Sequence, residues 1–523
     1  MQANEKPSDA GDPYEHYSAR LPTQTRFEIR AQVFVPAATS ILLFVALGAV
    51  YSDALSATFR TLQDWIALSL GWFYALSASI FLGFVIWLGF SRYGAIRLGP
   101  DSARPDYSYL AWFAMLFSAG MGIGLLFFSV SEPAHHFGIA PPPSTRAEPE
   151  TPRAAETALL YTFFHWGMHA WAIYIIIGLA LCYYAYRRGL PLAMRSAFYP
   201  LLGERVFGWP GDIVDTLAIV GTLFGVATSL GLGVIQINAG LGYLVGLPPS
   251  LLARIVLIAI ITAVATLSVL SGLDRGIRRL SLANVFIGGA LTLFVLVVGP
   301  TRSIFAAFVN GIGDYVQQLP ALSMGTSTVD QPEWRAEWTL FYWGWWVSWS
   351  PFVGMFVARI SRGRTVREFV AGVLLVPTVV TFFIVTVFGQ SGLMAELEGR
   401  GSVVQAAADN PAYALFALLE TLPLPQVTSI VALLVIVTFF ITSSDSGSLV
   451  DDIHASGGSL TPHKATRIFW ALTEGMVASV LLAAGGRKGL DALQQASLAT
   501  GIPLAVLLLG ACWALVRAFR REL

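Results

Sequence analysis

Charge is what this chain is short of. Only 12% of its 523 residues are Asp, Glu, Lys or Arg, while 55% are hydrophobic. A soluble domain carries roughly a quarter charged residues. The deficit excludes an ordinary water-soluble fold and assigns most of the chain to lipid. Net charge is zero, which gives no footing for nucleic acid. Cysteine is nearly absent: Cys182 and Cys512 both stand in apolar runs and read as small hydrophobic residues, not as a disulfide or metal pair. No charged–apolar–small signal pattern opens the chain, so residues 1–30 are expected to form a short disordered cytoplasmic tail. The sequence carries no metal cluster, nucleophile–base pair or charged filter ring. An enzyme or a channel therefore finds no support.

Long apolar runs fill the rest. Twelve segments fall near 33–52, 70–91, 107–131, 156–185, 212–245, 249–272, 280–300, 336–358, 367–389, 426–450, 465–484 and 494–517. Each can cross about 30 Å as a helix rising about 1.5 Å per residue. The predicted class is an all-α membrane protein of twelve spans. With the N-terminus inside, alternate loops collect 23 of the 32 Lys and Arg, including Arg92, Arg97, Arg187, Arg188, Arg275, Arg359, Arg364 and Arg467. That bias predicts both termini on the cytoplasmic side. Residues 303–319 read as an amphipathic helix on the outer surface, and Pro141–Pro152 as an outer loop.

Two spans look interrupted. The third carries Gly120, Gly122 and Gly124; the eighth carries Gly344 and then Ser350-Pro351. Interruptions at matching positions of two repeats point to a midplane binding site in a secondary transporter. The predicted plan is a tail (1–30), two leading spans (31–105), a five-span unit (106–302), an outer helix and loop (303–334), a second five-span unit (335–518) and a short end (519–523). Gly120 and Gly124 also form a GxxxG pair suited to close helix packing. Three alternate glycines go further and weaken the helix by about 1 kcal/mol each. Unwound backbone there would offer N–H groups to a carboxylate and carbonyls to sodium.

The eighth span is crowded with aromatic rings. At about 100° per residue, Trp338, Trp345, Trp349 and Phe356 fall on one line, with Phe341, Tyr342 and Phe352 beside it. An interfacial aromatic belt would sit only at helix ends; this stripe crosses the membrane. It suits a pathway for a cation, each indole contact being worth roughly 0.5–2 kcal/mol. Trp343 and Trp346 lie off the line, so a cage using them needs a distortion near Gly344 or more than one helix face. The fourth span adds Trp166, Trp171 and Tyr174, which could enclose a trimethylammonium group or simply pack. His165 and His169, one turn apart, would suit a metal. The sequence shows no nearby Cys or carboxylate to complete that set, which favours packing or hydrogen bonding. The tenth span brings Thr442, Ser443 and Ser444, hydroxyls that suit a hard cation or bond back to their own helix. Asp445 is read as marking the end of that span.

The run Trp338-Thr339-Leu340-Phe341-Tyr342-Trp343-Gly344-Trp345-Trp346 resembles the signature of the betaine/carnitine/choline transporter family, and the hydropathy plan resembles it from about residue 30 to 520. The resemblance implies a LeuT-like fold of two inverted five-helix repeats after two extra helices, and a homotrimer in the bacterial inner membrane. It implies a central substrate site at Trp343, Trp345, Trp346 and Trp349 and an outer box at Trp166, Trp171 and Tyr174. Gly120, Gly122 and Gly124 would meet the solute's carboxylate. Phe127, Trp338, Phe341, Phe352 and Phe356 would line the pathway. One sodium would be held by Ser118, Met121, Phe439, Thr442 and Ser443, and a second in part by Thr222. Family members that take choline with protons carry an acid where this chain has Gly124. Sodium-independent exchangers place an arginine on the fifth span, yet no Lys or Arg occurs here between Arg205 and Arg254. Both comparisons favour Na+ symport of a zwitterion, glycine betaine being the expected solute, with no cofactor beyond the coupling ion. An exchanger or proton-coupled carrier of carnitine, choline or dimethylsulfoniopropionate is the alternative. Val226 stands where the second sodium site expects a hydroxyl, which leaves the stoichiometry open. The long basic C-terminal helix of osmosensing members has no counterpart, so osmotic regulation of that type is not expected.

Overall fold

A computed structural model of the chain describes residues 29–120, 122–140, 142, 147–271, 274–325, 332–460, 462–485 and 490–523. Their secondary structure is helical, with one isolated bridge between Arg97 and Thr365. We label the longer helices α1 (Ala31–Val50), α2 (Ser52–Phe90), α3 (Tyr109–Gly120), α4 (Ile123–Ala134), α5 (Pro152–Trp166), α6 (Met168–Cys182) and α7 (Trp209–Val245). They continue with α8 (Leu251–Ser271), α9 (Asp274–Val298), α10 (Thr301–Met324), α11 (Phe341–Ile360), α12 (Val366–Val385), α13 (Pro425–Ala455), α14 (Lys464–Ala484) and α15 (Asp491–Glu522).

Among the described residues, eight helical stretches are long and apolar enough to cross a membrane, or nine if the bent pair of α9 and α10 is one span. The chain is a multi-pass membrane protein. The remaining apolar segments are helical but miss that test for physical reasons. Residues 107–131 are split between α3 and α4, Leu251–Leu267 is short, and the Trp- and Tyr-rich α11 scores low because indole N–H and phenol O–H groups are polar. Large apolar side chains such as Leu43, Leu68, Phe90, Ile260, Phe286 and Trp513 face outward, while Glu132, Asp451 and Glu474 are buried. A bilayer explains that inversion, because outward apolar groups cost nothing in lipid and interior polar groups can pair.

Local chemistry sets the helix ends. Thr365 and Glu368 form a reciprocal capping box at the start of α12. Thr151 caps α5 with Pro152 in the first turn, and Gly246 closes α7 in the left-handed conformation. The expected break in the third span is present: α3 stops at Gly120 and Gly122 caps α4 with φ −126° and ψ −146°. The expected break in the eighth span is not. α11 runs unbroken through Gly344 and Pro351, after a π turn over Ala336–Leu340. Pro351 cannot donate to the Val347 carbonyl, and the Ser350 hydroxyl does so instead at 2.7 Å. Gly344 serves packing: a Cβ there would lie 2.7 Å from the Leu498 Cα of α15. A break not foreseen divides the fourth span at Gly167, where a Cβ would meet the Phe163 carbonyl at 2.5 Å and the Tyr315 hydroxyl at 2.7 Å.

Helix α10 covers the segment expected to be amphipathic and is bent 109° from the α9 stretch before it. It packs on α5, with Tyr315 buried and its hydroxyl accepting the Met168 N–H at 3.0 Å. Residues 141 and 143–146 of the Pro-rich segment lie outside the described residues. Arginine-bearing loops meet at one end of the bundle. Arg97 donates to the Gly363 carbonyl, and Arg187 binds Asp101, the Gly99 carbonyl and Glu522. Arg30 binds Asp212 and the Phe207 carbonyl. The segments around Arg97, Arg187 and Gly363 thus adjoin one another and Glu522, and Arg30 adjoins Asp212. Both cysteines are free and buried, as read from their surroundings.

Candidate solute cage

The site is built where α5, α6 and α11 meet beside the broken helix α3–α4. Trp345 and Trp346 stack with centroids 4.7 Å apart and planes at 16°. Trp166 stands edge-on to Trp346 at 4.9 Å and to Trp345 at 6.2 Å. Tyr174 lies 6.3 Å from both Trp346 and Trp349, and Trp171 is 5.6 Å from Tyr174. Trp349 leads on to Phe352 at 5.5 Å. Three rings of the fourth segment and three of α11 thus form one buried aromatic cluster. Gly167 makes this possible, because the break after Trp166 lets α5 and α6 each aim rings at α11.

Glycines bring the walls together. A Cβ on Gly124 would sit 2.6 Å from Trp345 Cη2 and 3.1 Å from Trp166 Cη2. Gly225 of α7 lies against the Trp349 backbone, and its carbonyl accepts the Trp345 N–H at 3.3 Å. Gly122 is looser, 4.0 Å from Trp349 and 3.7 Å from the Ser443 hydroxyl by the same construction. The N-terminus of α4 therefore adjoins both Trp349 and α13.

Three donors of the cluster have no hydrogen-bond partner: Trp171 Nε1, Tyr174 Oη and Trp349 Nε1. Buried donors are nearly always satisfied. Their grouping around ring faces leaves the cluster able to take an acceptor as well as a cation.

Sequence positions and placement agree unevenly. Trp343 turns away from the other tryptophans and packs on His169 at 5.1 Å and Phe164 at 5.2 Å. Trp346 joins Trp345 without any distortion at Gly344, so the cage spans two faces of α11. Trp338 and Phe341 continue the stripe, but Phe128 is the ring that joins them, within 6.2 Å of Trp166, Trp338, Phe341, Tyr342 and Trp345. Phe127, the expected pathway aromatic, is buried beside Phe128 at 4.8 Å. Phe356 is half-buried further along α11.

Of the candidate sodium ligands, Met121 lies outside the described residues, as does the side chain of Ser118. The Thr442 hydroxyl bonds back to the Thr438 and Phe439 carbonyls at 3.0 and 3.1 Å. Ser443 and Phe439 are half-buried, and Ser443 faces Gly122. Thr222 is fully buried with an unpartnered hydroxyl, and Val226 packs against Gly447.

Glu132 was missed because the third span was ended at 131, which put it in a loop. It is completely buried in α4. Its Oε2 accepts the Trp166 N–H at 3.0 Å and the Tyr342 O–H at 2.5 Å; its Oε1 lies 2.6 Å from His165 Nδ1 and 3.4 Å from His136 Nε2. An acid inside an apolar run was the signal that could have found it. Glu132, His136 and His165 offer ligand atoms within 4.8 Å of one another, so a carboxylate does complete a possible metal set. The partner of His165 in that set is His136, not His169, whose Nε2 meets the Ser323 hydroxyl at 3.1 Å. His165 also reaches the Thr339 hydroxyl at 2.9 Å, so the histidine acts here in a hydrogen-bonded network.

Asp445 does not end its span. It is buried within α13, which continues to Ala455, and binds Arg467 at 2.7 Å. The Ser444 hydroxyl donates to Glu474 at 2.9 Å, while Glu474 Oε1 and both oxygens of buried Asp451 have no hydrogen-bond partner.

An aromatic cage enclosed by membrane helices is the architecture of a carrier for a small organic cation or zwitterion. Residues 32–523 match the model of the BCCT, betaine/carnitine/choline family transporter, and the chain belongs to that family. It is 48% identical to an uncharacterized transporter of Mycobacterium tuberculosis, covering 95% of this chain and 83% of that protein. It is 43% identical to the glycine betaine transporter of Acinetobacter baylyi (95% of this chain, 74% of the relative) and 43% identical to the glycine betaine transporter OpuD of Bacillus subtilis (91% and 92%). These relatives are transporters, and the chain is not an enzyme.

Proposed function

We propose that this chain is a secondary active transporter that imports a quaternary-ammonium compatible solute, glycine betaine first, by Na+ symport with alternating access. The observation that carries the reading is the cage of Trp166, Tyr174, Trp345, Trp346 and Trp349 with unpartnered Trp171, Tyr174 and Trp349 donors at its edge. Indole and phenol faces attract the ammonium without a buried counter-charge. The free donors and the α4 N-terminus at Gly122 suit the carboxylate. Two relatives named as glycine betaine transporters support the choice of solute.

In this reading the chain crosses an inner membrane twelve times, with both termini cytoplasmic, as two inverted five-helix repeats after two leading helices. It works as a homotrimer. Ser118, Met121, Phe439, Thr442 and Ser443 hold sodium, supported by the closeness of Ser443 to the α3–α4 break. Thr222 contributes to a second sodium site, though Val226 supplies no oxygen there. Uptake of labelled glycine betaine into proteoliposomes, titrated with sodium, tests the coupling. Uptake should rise with an inward sodium gradient; transport indifferent to sodium would mean an exchanger. A thermal-shift panel of betaine, choline, carnitine and dimethylsulfoniopropionate then ranks the solutes.

A further inference from the structure

We propose that Glu132 is a specificity-determining residue that charges the cage from behind, making its rings favour a cationic head over a neutral one of the same shape. The inference rests on the proposed cage and adds a residue that touches the rings, not the solute.

The geometry is that of an acceptor-only carboxylate. Trp166 N–H and Tyr342 O–H converge on Oε2 at 3.0 and 2.5 Å, and His165 Nδ1 approaches Oε1 at 2.6 Å. An ionised carboxylate can accept from all three groups at once, and the Trp166 indole, which can only donate, requires an acceptor at Oε2. Both rings bonded to Oε2 belong to the cage wall. Trp166 is 4.9 Å from Trp346, and Tyr342 stacks on Trp346 at 5.6 Å and 27°. Charge-assisted hydrogen bonds are short and strong. A carboxylate accepting an indole N–H or phenol O–H polarises electron density into the ring. The attraction between a ring face and a cation is electrostatic, so it deepens with that polarisation. Complete burial of Glu132 keeps water from screening the effect. The same bonds fix the tilt of Trp166 and Tyr342, so the carboxylate also positions them.

The test compares two solutes on the purified transporter. Glycine betaine carries the cationic head; 3,3-dimethylbutanoate is its carbon isostere, with the same shape and carboxylate but no positive charge. Binding of each is measured by intrinsic tryptophan fluorescence for wild type, Glu132→Gln, Glu132→Asp and Tyr342→Phe. Wild type should prefer betaine. Glu132→Gln, which keeps size and one acceptor oxygen, should weaken betaine at least about tenfold and leave the isostere with the uncharged head within about twofold. Glu132→Asp, which keeps the charge, should recover most of the preference. Tyr342→Phe removes one O–H link and keeps the ring, and should lower the preference about threefold; it reads the same link if Glu132→Gln fails to fold. A betaine-to-isostere ratio unchanged in Glu132→Gln, or in Tyr342→Phe, overturns the proposal. Equal weakening of both solutes also overturns it, because Glu132 would then be purely structural. Failure of wild type to bind betaine would instead sink the proposed function.

Discussion

Helices α11 and α13 are both unusual for membrane helices, and they are unusual in opposite ways. α11 is loaded with rings whose polar atoms sit at their edges, and it packs its buried interior by stacking while leaving the Trp349 indole N–H without a partner. α13 is loaded with hydroxyls and carboxylates, and its interior is incompletely satisfied: Asp445 has Arg467, but Glu474 on the facing helix and Asp451 keep bare oxygens. A cage of rings can hold a cation without buried charge. A helix rich in oxygen needs cations, protons or water to be stable in lipid. A ring-rich half thus stands apart from an oxygen-rich half, and the two are joined at Gly122, which lies beside both Trp349 and Ser443.

The largest expected effect breaks the ring half. Trp345→Leu and Trp349→Leu should each weaken betaine binding roughly thirtyfold, since each removes one desolvated cation–ring contact of about 2 kcal/mol; calorimetric titration checks this. Gly124→Ala comes next. Its Cβ would lie 2.6 Å from Trp345 and must push that indole, so overpacking of about 1–3 kcal/mol should lower affinity by about tenfold while the protein still folds.

The oxygen-rich half should respond in stability more than in affinity. Arg467→Met takes the guanidinium away from the buried Asp445 carboxylate and should cost about 2–4 kcal/mol, read as a lower unfolding temperature in detergent. Glu474→Gln replaces a buried acid whose Oε2 accepts from Ser444 and whose Oε1 has no hydrogen-bond partner, so the unfolding temperature should stay level or rise. A fall as large as that of Arg467→Met would contradict the picture of an under-compensated helix.

The smallest effect lies outside both halves. Arg187 holds the carboxyl of exposed Asp101 below its ordinary range by hydrogen bonding and charge. A depressed acid stabilises above the unfolded value and loses that contribution as pH falls through the folded one. Asp101→Asn should therefore make only a slight difference to thermal unfolding at neutral pH, and none in strong acid. A pH series of melting curves for the two proteins measures it.

How far these halves were legible depended on the kind of signal. Apolar runs locate helices well because lipid demands them, and the tryptophans of α11 marked the cage by composition. Pro351 and Gly344 misled, because in a membrane helix Ser350 can replace the missing bond and a glycine can serve packing against Leu498. Trp343 could not be sorted from Trp345 and Trp346 by motif alone; only the packing of His169 and Phe164 turns it away. Gly167 gave no signal, since a lone glycine in an apolar run is ordinary. Glu132 was lost to a boundary drawn one residue early, although a carboxylate beside an apolar run is costly enough to have deserved a partner search. Asp445 reads as a helix end because Asp451 and Asp452 follow it closely, and its partner Arg467 lies on another helix.

The most direct test of the account is calorimetric titration of glycine betaine into the purified wild-type protein, Trp345→Leu and Trp349→Leu. The account predicts saturable binding to wild type and a loss of at least about tenfold in each variant. Wild-type affinity retained in both would contradict it, because the stacked rings of α11 would then be packing and nothing more.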